Sequence, residues 1–272
     1  MKKYNGLTIS EFAKLCNTNR KTLIFYDNIN IFKPAYKDEK GYRFYNIKQY
    51  DAFSILVDLR EIGVSLEEIK KYLDNKSPNK YLELLDKEKE KTLEKISKLN
   101  KIYKTVENKI NTTEVGIGAI DKLEPYIKEV QEEYYVKLDV EDSSNEGIML
   151  SVIDLIKESV NDEIYCGYNI GVMVSRDNII RGEYSNITKI TMRVDRKLSK
   201  SNLIIKESGT YAIINHKGNY EDTYNSYEKL LKYIKDNGYK IVSDSYENSL
   251  LEMFALENEE EYLTEICIKV EK

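Results

Sequence analysis

The chain has 272 residues, of which 41% are hydrophobic and 33% are charged, a balance typical of globular proteins long enough for two domains. Its three cysteines lack metal-ligand or redox spacing. Because it has one histidine, it lacks the residues expected of a metal site, a catalytic triad or histidine acid–base chemistry. No segment approaches the roughly 20 apolar residues of a membrane helix, and the N-terminus lacks the apolar stretch of a signal peptide. We therefore expect a cytoplasmic protein without membrane partner, metal, cofactor or catalytic residues.

The net charge of −5 is distributed unevenly along the chain. Residues 1–50 hold ten Lys and Arg against four Asp and Glu, whereas residues 112–272 hold nineteen against thirty-one. A basic head on an acidic body indicates a polyanionic partner for the head alone.

Two short helices joined by a polar turn are predicted near the N-terminus. Thr8 and Glu11 have the spacing of a capping box, and an apolar helical face follows them. A second helix is predicted over Arg20–Asn28. This arrangement fits a helix-turn-helix, although many small helical domains share it.

A small two-stranded wing is predicted next. Pro34 ends the helical region, and Gly41 lies in a turn that suits a positive φ. The run Tyr42-Arg43-Phe44-Tyr45 alternates aromatic and basic side chains. In such a wing Arg43 would neutralise a phosphate, and the hydroxyls of Tyr42 and Tyr45 would donate to phosphate oxygens.

Three further helices are predicted after the wing. One covers Ile47–Ile62 and ends at Gly63, and another runs from a capping box at Ser65 to Leu73. Residues 80–111 contain no Pro or Gly, and their apolar residues recur at three- and four-residue spacing. This seam consists of Leu85, Thr92, Ile96, Leu99, Tyr103, Val106 and Ile110. It favours an antiparallel coiled coil between two subunits over a solvated single helix packed on its own domain.

From about Thr113 the pattern changes to strands and short helices. The predicted strands are Tyr126–Leu138, Cys166–Ser175, Ile187–Val194, Leu203–His216, Lys240–Leu256 and Tyr262–Val270, and the predicted helices are Gly147–Ser159 and Glu221–Asn237. The order strand, helix, strand, strand occurs twice, which predicts a duplicated α+β domain with a mainly antiparallel sheet.

The N-terminal motifs together resemble the DNA-binding domain of the MerR family. The resemblance rests on the run TISEFAKLCNTNRKTLIFYDNINIFKP followed by GYRFYNIKQYDAFSILVDLREIGVSLEEIKKYL. It implies a dimeric activator that binds promoter DNA and twists it for RNA polymerase. The implied DNA contacts are Asn19, Arg20, Lys21, Tyr26, Tyr42, Arg43, Tyr45 and Arg60. Ile24 stands where the family commonly has Arg, which puts the operator sequence in doubt.

The C-terminal half resembles the GyrI-like effector-binding domain. The matching segments include Gly209–Ala212, His216–Tyr220, Tyr239–Glu247 and Glu261–Val270. The two resemblances imply a winged helix-turn-helix domain over residues 1–75, a dimerisation helix over residues 76–112 and an effector-binding domain over residues 113–272.

In multidrug-sensing members of this family, a buried Glu draws lipophilic cations into an aromatic pocket. The resemblance places that role on Glu247, with Tyr168, Tyr224, Ser249 and Tyr262 in the same pocket. Tyr262 also shares strand parity with Thr264 and Ile266, so it is predicted on the core face. From the residues alone, Glu247 could equally be a solvent-facing strand residue. The family has Tyr where Leu150 and Thr223 are aligned here, which indicates a different ligand shape.

Three functions remain open at this point. The first is a regulator switched by a small, drug-like effector. The second is a hydrolase, because some GyrI-like domains resemble hydrolases of small electrophiles and Glu247 could act as a general base. The third is a regulator whose C-terminal domain binds a protein partner.

Overall fold

The computed structural model describes residues 6–162 and 164–272. The chain divides into two compact units, Met1–Lys98 and Leu99–Lys272. Across these described ranges, no helix has the length and apolar character needed to cross a membrane. Within the same ranges, His, Cys, Asp and Glu side chains form no group of three that could hold a metal ion.

The N-terminal unit is mostly helical, with a small antiparallel sheet in the order β1-β3-β2. Its elements are β1 (Leu7–Thr8), α1 (Ile9–Leu15), α2 (Arg20–Asn28), β2 (Tyr36–Lys37), β3 (Arg43–Tyr45), α3 (Gln49–Glu61), α4 (Leu66–Asp74) and the first part of α5 (Pro78–Ala119). The capping boxes predicted at Thr8 and Ser65 both form. The β2–β3 pair is the predicted wing, and Gly41 in its turn has a φ of +82°.

Aromatic rings fill the core of the N-terminal unit. Phe12 stacks on Tyr45 at 4.7 Å and on Phe32 at 5.9 Å, and Phe53 meets both phenylalanines edge-on. The prediction that Tyr45 touches DNA is wrong for this conformation, because its side chain is fully buried. Tyr45 lies on the inner face of β3, where burial of its large ring offsets the cost of a buried hydroxyl that has no hydrogen-bond partner among the described residues. Burial also raises its pKa to about 12.

Helix α5 is longer than the sequence predicts and ends at Ala119. The seam residues from Ile96 onward are more than 45% exposed in the isolated chain, with Leu99 and Tyr103 both at 62%. Such a row of exposed apolar side chains on a long helix is typical of a surface that a partner covers.

The C-terminal unit is built on an eight-stranded antiparallel sheet in the order β4-β9-β11-β10-β6-β7-β5-β8. The strands are β4 (Tyr126–Val130), β5 (Glu133–Asp139), β6 (Ile170–Val174), β7 (Ile187–Val194), β8 (Leu203–Lys206), β9 (Gly209–Lys217), β10 (Lys240–Leu251) and β11 (Leu263–Glu271). The helices are α6 (Asn145–Asn161), α7 (Arg176–Arg181) and α8 (Tyr224–Asp236), with short 3-10 turns at Tyr220–Asp222 and Glu259–Glu261.

The sheet order shows the predicted duplication. Strands β6-β7-β5 of the first repeat mirror β10-β11-β9 of the second, and β6 joins β10 at the centre. The predicted single strands Tyr126–Leu138 and Leu203–His216 are each broken in two. Their first pieces, β4 and β8, cross over to pair with β9 and β5 of the other repeat. Gly209, with a φ of +143°, allows the second break.

Both faces of this sheet are buried. Helices α6 and α8 cover one face, where Leu155 and Leu230 pack against apolar strand residues. The opposite face holds its own cluster, which includes Tyr211, Tyr246 and Cys267. Along β11, Cys267 therefore lies on one face while its neighbours Ile266 and Ile268 lie on the other, and all three are fully buried.

A buried lysine lies within the cluster on the face opposite α6 and α8. Lys206 is 2% exposed, and its Nζ lies 3.0 Å from Glu133 Oε2 and 3.3 Å from Cys267 Sγ. The ammonium also lies 5.1 Å and 5.2 Å from the ring centroids of Tyr211 and Tyr246. Burial raises the pKa of Glu133, but the charges of Lys206 and Arg193 outweigh it and lower that pKa overall. Lys206 and Glu133 therefore form a buried ion pair.

Candidate functional site

Four of the eight predicted DNA contacts lie on the exposed surface of α2 and the wing. Asn19 caps α2, since its side chain accepts from the Thr22 amide at 2.8 Å. Arg20 and Lys21 follow in the first turn of α2, and both are exposed. Tyr42 in the wing turn is 64% exposed. These positions are accessible to a phosphate backbone.

A buried carboxylate joins α2 to the wing. Asp27 is 6% exposed, and its Oδ2 lies 2.7 Å from both Arg43 Nε and Lys37 Nζ. Burial raises the pKa of Asp27, but the two cations outweigh it and lower the pKa overall. Arg43 is therefore more than a solvated surface charge, because Asp27 holds its Nε while part of the side chain stays exposed. The sequence contains Asp27 in the family motif but does not show this role.

The remaining predicted DNA contacts differ in their surroundings. Tyr26 is half-buried, and its ring packs near Phe25 and Phe53. Arg60 donates from Nη1 to the Val64 carbonyl at 2.6 Å, so it also closes the turn between α3 and α4. Ile24 is 37% exposed on α2.

Glu247 lies at the junction of the two repeats of the C-terminal unit. Its register partner across the β10–β6 pair is Val172, which packs with the cluster under α6. Directly paired residues project to the same face, so Glu247 faces the side that bears the helices. The strands approach closely here, because a Cβ on Gly171 would lie 2.5 Å from the Glu247 carbonyl oxygen.

The Glu247 carboxylate is buried, and among the described residues it has no ion-pair partner. Its Oε1 accepts a hydrogen bond of 2.7 Å from Tyr227 on α8, and the Tyr227 hydroxyl also lies 2.6 Å from Ser245 Oγ. Burial raises the pKa of Glu247 to about 7, and the Tyr227 hydrogen bond only partly offsets it. The alternative of a solvent-facing strand residue does not hold, because Glu247 is 7% exposed.

Aromatic rings continue outward from this carboxylate. Tyr184 stacks on Tyr227 with ring centroids 4.8 Å apart and planes 3° from parallel. Tyr224 lies 5.3 Å from Tyr184, is 48% exposed and donates to Glu228 at 2.8 Å. The rings of Tyr184 and Tyr227 therefore lie between Tyr224 and Glu247.

A second group lies further along β10, on the same face as Glu247. Ser249 Oγ donates to Glu252 at 3.0 Å and lies 3.3 Å from the Tyr220 hydroxyl. Tyr262 is 6% exposed, with its ring 5.8 Å from that of Tyr220. It precedes β11 instead of opening it, so the predicted strand parity does not apply to it. Thr264, paired with Ser249, has a buried hydroxyl without a hydrogen-bond partner within the described ranges.

Tyr168 belongs to a different set of contacts. Its hydroxyl donates to Asp195 at 3.1 Å, and its ring lies under Arg193 at 5.2 Å. Asn108 on α5 donates to the same Asp195 carboxylate and to the Cys166 carbonyl. The structure therefore brings Tyr168 together with helix α5.

The site residues predicted from the sequence do not include Tyr227, Ser245, Tyr184 or Tyr220. A signal existed for Tyr227, which shares the apolar stripe of α8 with Leu230 and Ile234. A Tyr in such a stripe is buried and needs a partner for its hydroxyl. No comparable local pattern identifies Tyr184, which is brought in by the turn after α7.

Both halves of the chain match known protein families. Residues 7–76 match the MerR HTH family of regulatory proteins, and residues 92–271 match the GyrI-like small molecule binding domain. The multidrug-efflux transporter 2 regulator of Bacillus subtilis (strain 168) is 28% identical, covering 100% of this chain and 98% of the regulator. The transporter 1 regulator of the same strain is 24% identical, covering 97% of each. A solved EcmrR–DNA complex aligns at 22% identity with a TM-score of 0.44, covering 97% of this chain and 99% of the other.

Proposed function

The chain belongs to the GyrI-like family of small-molecule-binding proteins and carries a MerR-type helix-turn-helix domain, and we propose that it couples a lipophilic cationic effector to transcription. In this proposal a homodimer binds promoter DNA in the cytoplasm. Effector binding favours the conformation that twists the DNA for RNA polymerase, because the effector has different affinities for the two conformations.

One observation carries the effector proposal, namely the buried Glu247 carboxylate without a cationic partner in the described part of the chain. Ionising a carboxylate away from water is unfavourable, so a ligand that brings the missing positive charge gains that energy on binding. The nearby tyrosine rings add cation–π attraction of about 1–2 kcal/mol when they are desolvated. The names of the two Bacillus regulators agree with a drug-like effector.

Calorimetric titration of tetraphenylphosphonium tests this proposal. We expect the wild-type chain to bind, and E247Q to bind at least about tenfold more weakly, a loss of about 1.4 kcal/mol. The control E141Q makes the same charge change at an exposed loop residue and should bind like wild type. Binding that is equal in all three proteins, or absent from wild type, contradicts a cationic effector anchored by Glu247.

Incubation with p-nitrophenyl acetate, a small electrophile that water can cleave, tests the hydrolase alternative. Curated relatives that span the whole chain are named as regulators, which favours a non-enzymatic role. We therefore expect wild type and E247Q to release p-nitrophenol at the same slow rate. Product formation that E247Q abolishes would support Glu247 as a general base.

Arg43 is proposed to contact a DNA phosphate. We expect R43A to weaken binding to a duplex that the wild-type protein selects from random sequence. The slope of log K against log salt should fall by about 0.9 for each Arg43 lost, because fewer counterions are released. R196A, which removes an exposed arginine from the C-terminal unit, is the matched control. An unchanged slope for R43A would remove this residue from the interface.

The exposed seam of α5 is proposed to form the dimer. Sedimentation equilibrium should give twice the chain mass for wild type and a shift toward the monomer for L99K, because a lysine at the seam cannot be buried without a partner. N100K adds the same charge beside the seam and should remain dimeric. A dimer that L99K leaves intact would place the interface elsewhere.

A further inference from the structure

A second concave surface lies on the C-terminal unit, between α7, α8 and the start of β10. It is an open groove of about 630 Å³, within the range of about 300–1,000 Å³ typical of small-molecule sites. Its apolar floor includes Ile179, Leu231 and Ile234. Ile180 lines the same groove with 62% of its surface exposed. The groove thus offers apolar surface that this unit leaves uncovered.

The charged residues that line the groove are all basic. They are Arg176, Arg181, Lys235 and Lys240. This is unusual for a segment in which Asp and Glu outnumber Lys and Arg by thirty-one to nineteen over residues 112–272. Four cations around one concavity create a local positive potential within an acidic body.

Two of these cations are held by the protein, and two have no partner in the described ranges. Arg176 Nε donates to the Ile241 carbonyl at 3.0 Å, and Arg181 contacts Asn178 and Glu183. The nearby carboxylate of Asp244 is already bound to Lys189 at 2.8 Å. Within residues 6–162 and 164–272, Lys235 and Lys240 make neither an ion pair nor a side-chain hydrogen bond, so their charges are available to a ligand.

We propose that this groove binds an amphipathic anion, a short apolar chain with one carboxylate or sulfonate. The apolar part would cover Ile180 and the floor, and the anion would lie between Lys235 and Lys240. This ligand class is opposite in charge to the one that Glu247 attracts. The groove is therefore a second binding site, separate from the Glu247 carboxylate.

The groove is nonetheless connected to the Glu247 site through one side chain. Tyr184 lines the groove and stacks on Tyr227, whose hydroxyl donates to Glu247. A ligand that contacts Tyr184 therefore touches the ring that stacks on Tyr227, and Tyr227 is the hydrogen-bond donor to Glu247.

Titration of decanoate into the full-length protein, below its micelle-forming concentration, tests the proposal. We expect saturable binding to wild type and at least about a tenfold loss in K235Q/K240Q. The control K229Q/K232Q removes two exposed lysines from α8 outside the groove lining and should bind like wild type. Decyltrimethylammonium has a matched tail and the opposite charge, so its affinity should be the same for the two double variants.

A chain-length series tests the apolar part of the groove separately. Affinity should rise about three- to fourfold for each added CH₂ from hexanoate to decanoate, as burial of a methylene predicts. Absence of decanoate binding, or equal loss in both double variants, would overturn the site. A flat chain-length series would overturn the amphipathic ligand class, because binding would then depend on the anion alone.

Discussion

Replacement of Lys206 by methionine is expected to destabilise the C-terminal unit by about 3 kcal/mol. Methionine can fill much of the lysine volume, so the loss would come from the charge. Glu133 would lose its 3.0 Å contact with Lys206 while remaining largely buried, with only Arg193 at 2.9 Å as a cationic partner. The rings of Tyr211 and Tyr246 would also lose the ammonium that lies against them.

A double-mutant cycle measured by urea denaturation checks this prediction. E133Q in the K206M background should recover part of the stability, because it removes the carboxylate that K206M deprives of its buried cationic partner. K197M, at an exposed lysine of the same unit, should change the free energy of unfolding by less than about 0.5 kcal/mol. Additive effects of K206M and E133Q would mean that the two charges do not stabilise each other.

Glu247 is expected to make the stability of the C-terminal unit depend on pH. Burial raises its pKa to about 7 in the folded state, from 4.5 for the unperturbed group. The folded state therefore holds a proton that the unfolded state has lost between these two values. The stabilisation from the protonated carboxyl is fully present below pH 4.5 and is lost as the pH rises through 7.

The variant E247Q cannot ionise and so removes this dependence. Its unfolding free energy relative to wild type should rise by about 3 kcal/mol between pH 4.5 and pH 8, the amount that a shift of this size implies. E141Q, at an exposed position, provides the matched control. A difference between wild type and E247Q that stays constant with pH would mean that Glu247 ionises normally in the folded protein.

Local signals in the sequence predicted local structure well. The capping boxes at Thr8 and Ser65 form because a hydroxyl and a carboxylate three residues apart satisfy each other's backbone groups without outside help. The strand predicted over Ile187–Val194 matches β7 in both ends. By contrast, the six-residue helix Arg176–Arg181 was not predicted, because fewer than two helical turns show too little repetition of apolar residues to be recognised.

Features that depend on distant parts of the chain were harder to predict. The apolar run of Tyr126–Leu138 does not show that its two pieces pair with different strands. Likewise, aromatic–basic alternation in the wing suggested that Tyr45 is exposed, but the stacking of Phe12 and Phe32 on its ring is a tertiary event. Propensity and pattern cannot specify which face of such a short strand the core covers.

Only those residues of the candidate site that the family resemblance covers could be predicted from the sequence. Burial of Glu247 follows from its place in that pattern, and the structure agrees. Its hydrogen-bond donor, Tyr227, comes from a helix 20 residues earlier, so strand patterning could not identify it. Tyr168 illustrates the reverse case, since it donates to Asp195, the carboxylate that also accepts from Asn108 on α5.

The stacked pair of Tyr184 and Tyr227 has a thermodynamic consequence. One ring lines the basic groove and the other holds the Glu247 carboxylate, so a displacement of either ring changes the surroundings of both sites. If an anion in the groove alters cation affinity by some factor, the cation must alter anion affinity by the same factor. The transcriptional response would then depend on the concentrations of both ligands together and not on the concentration of either one alone.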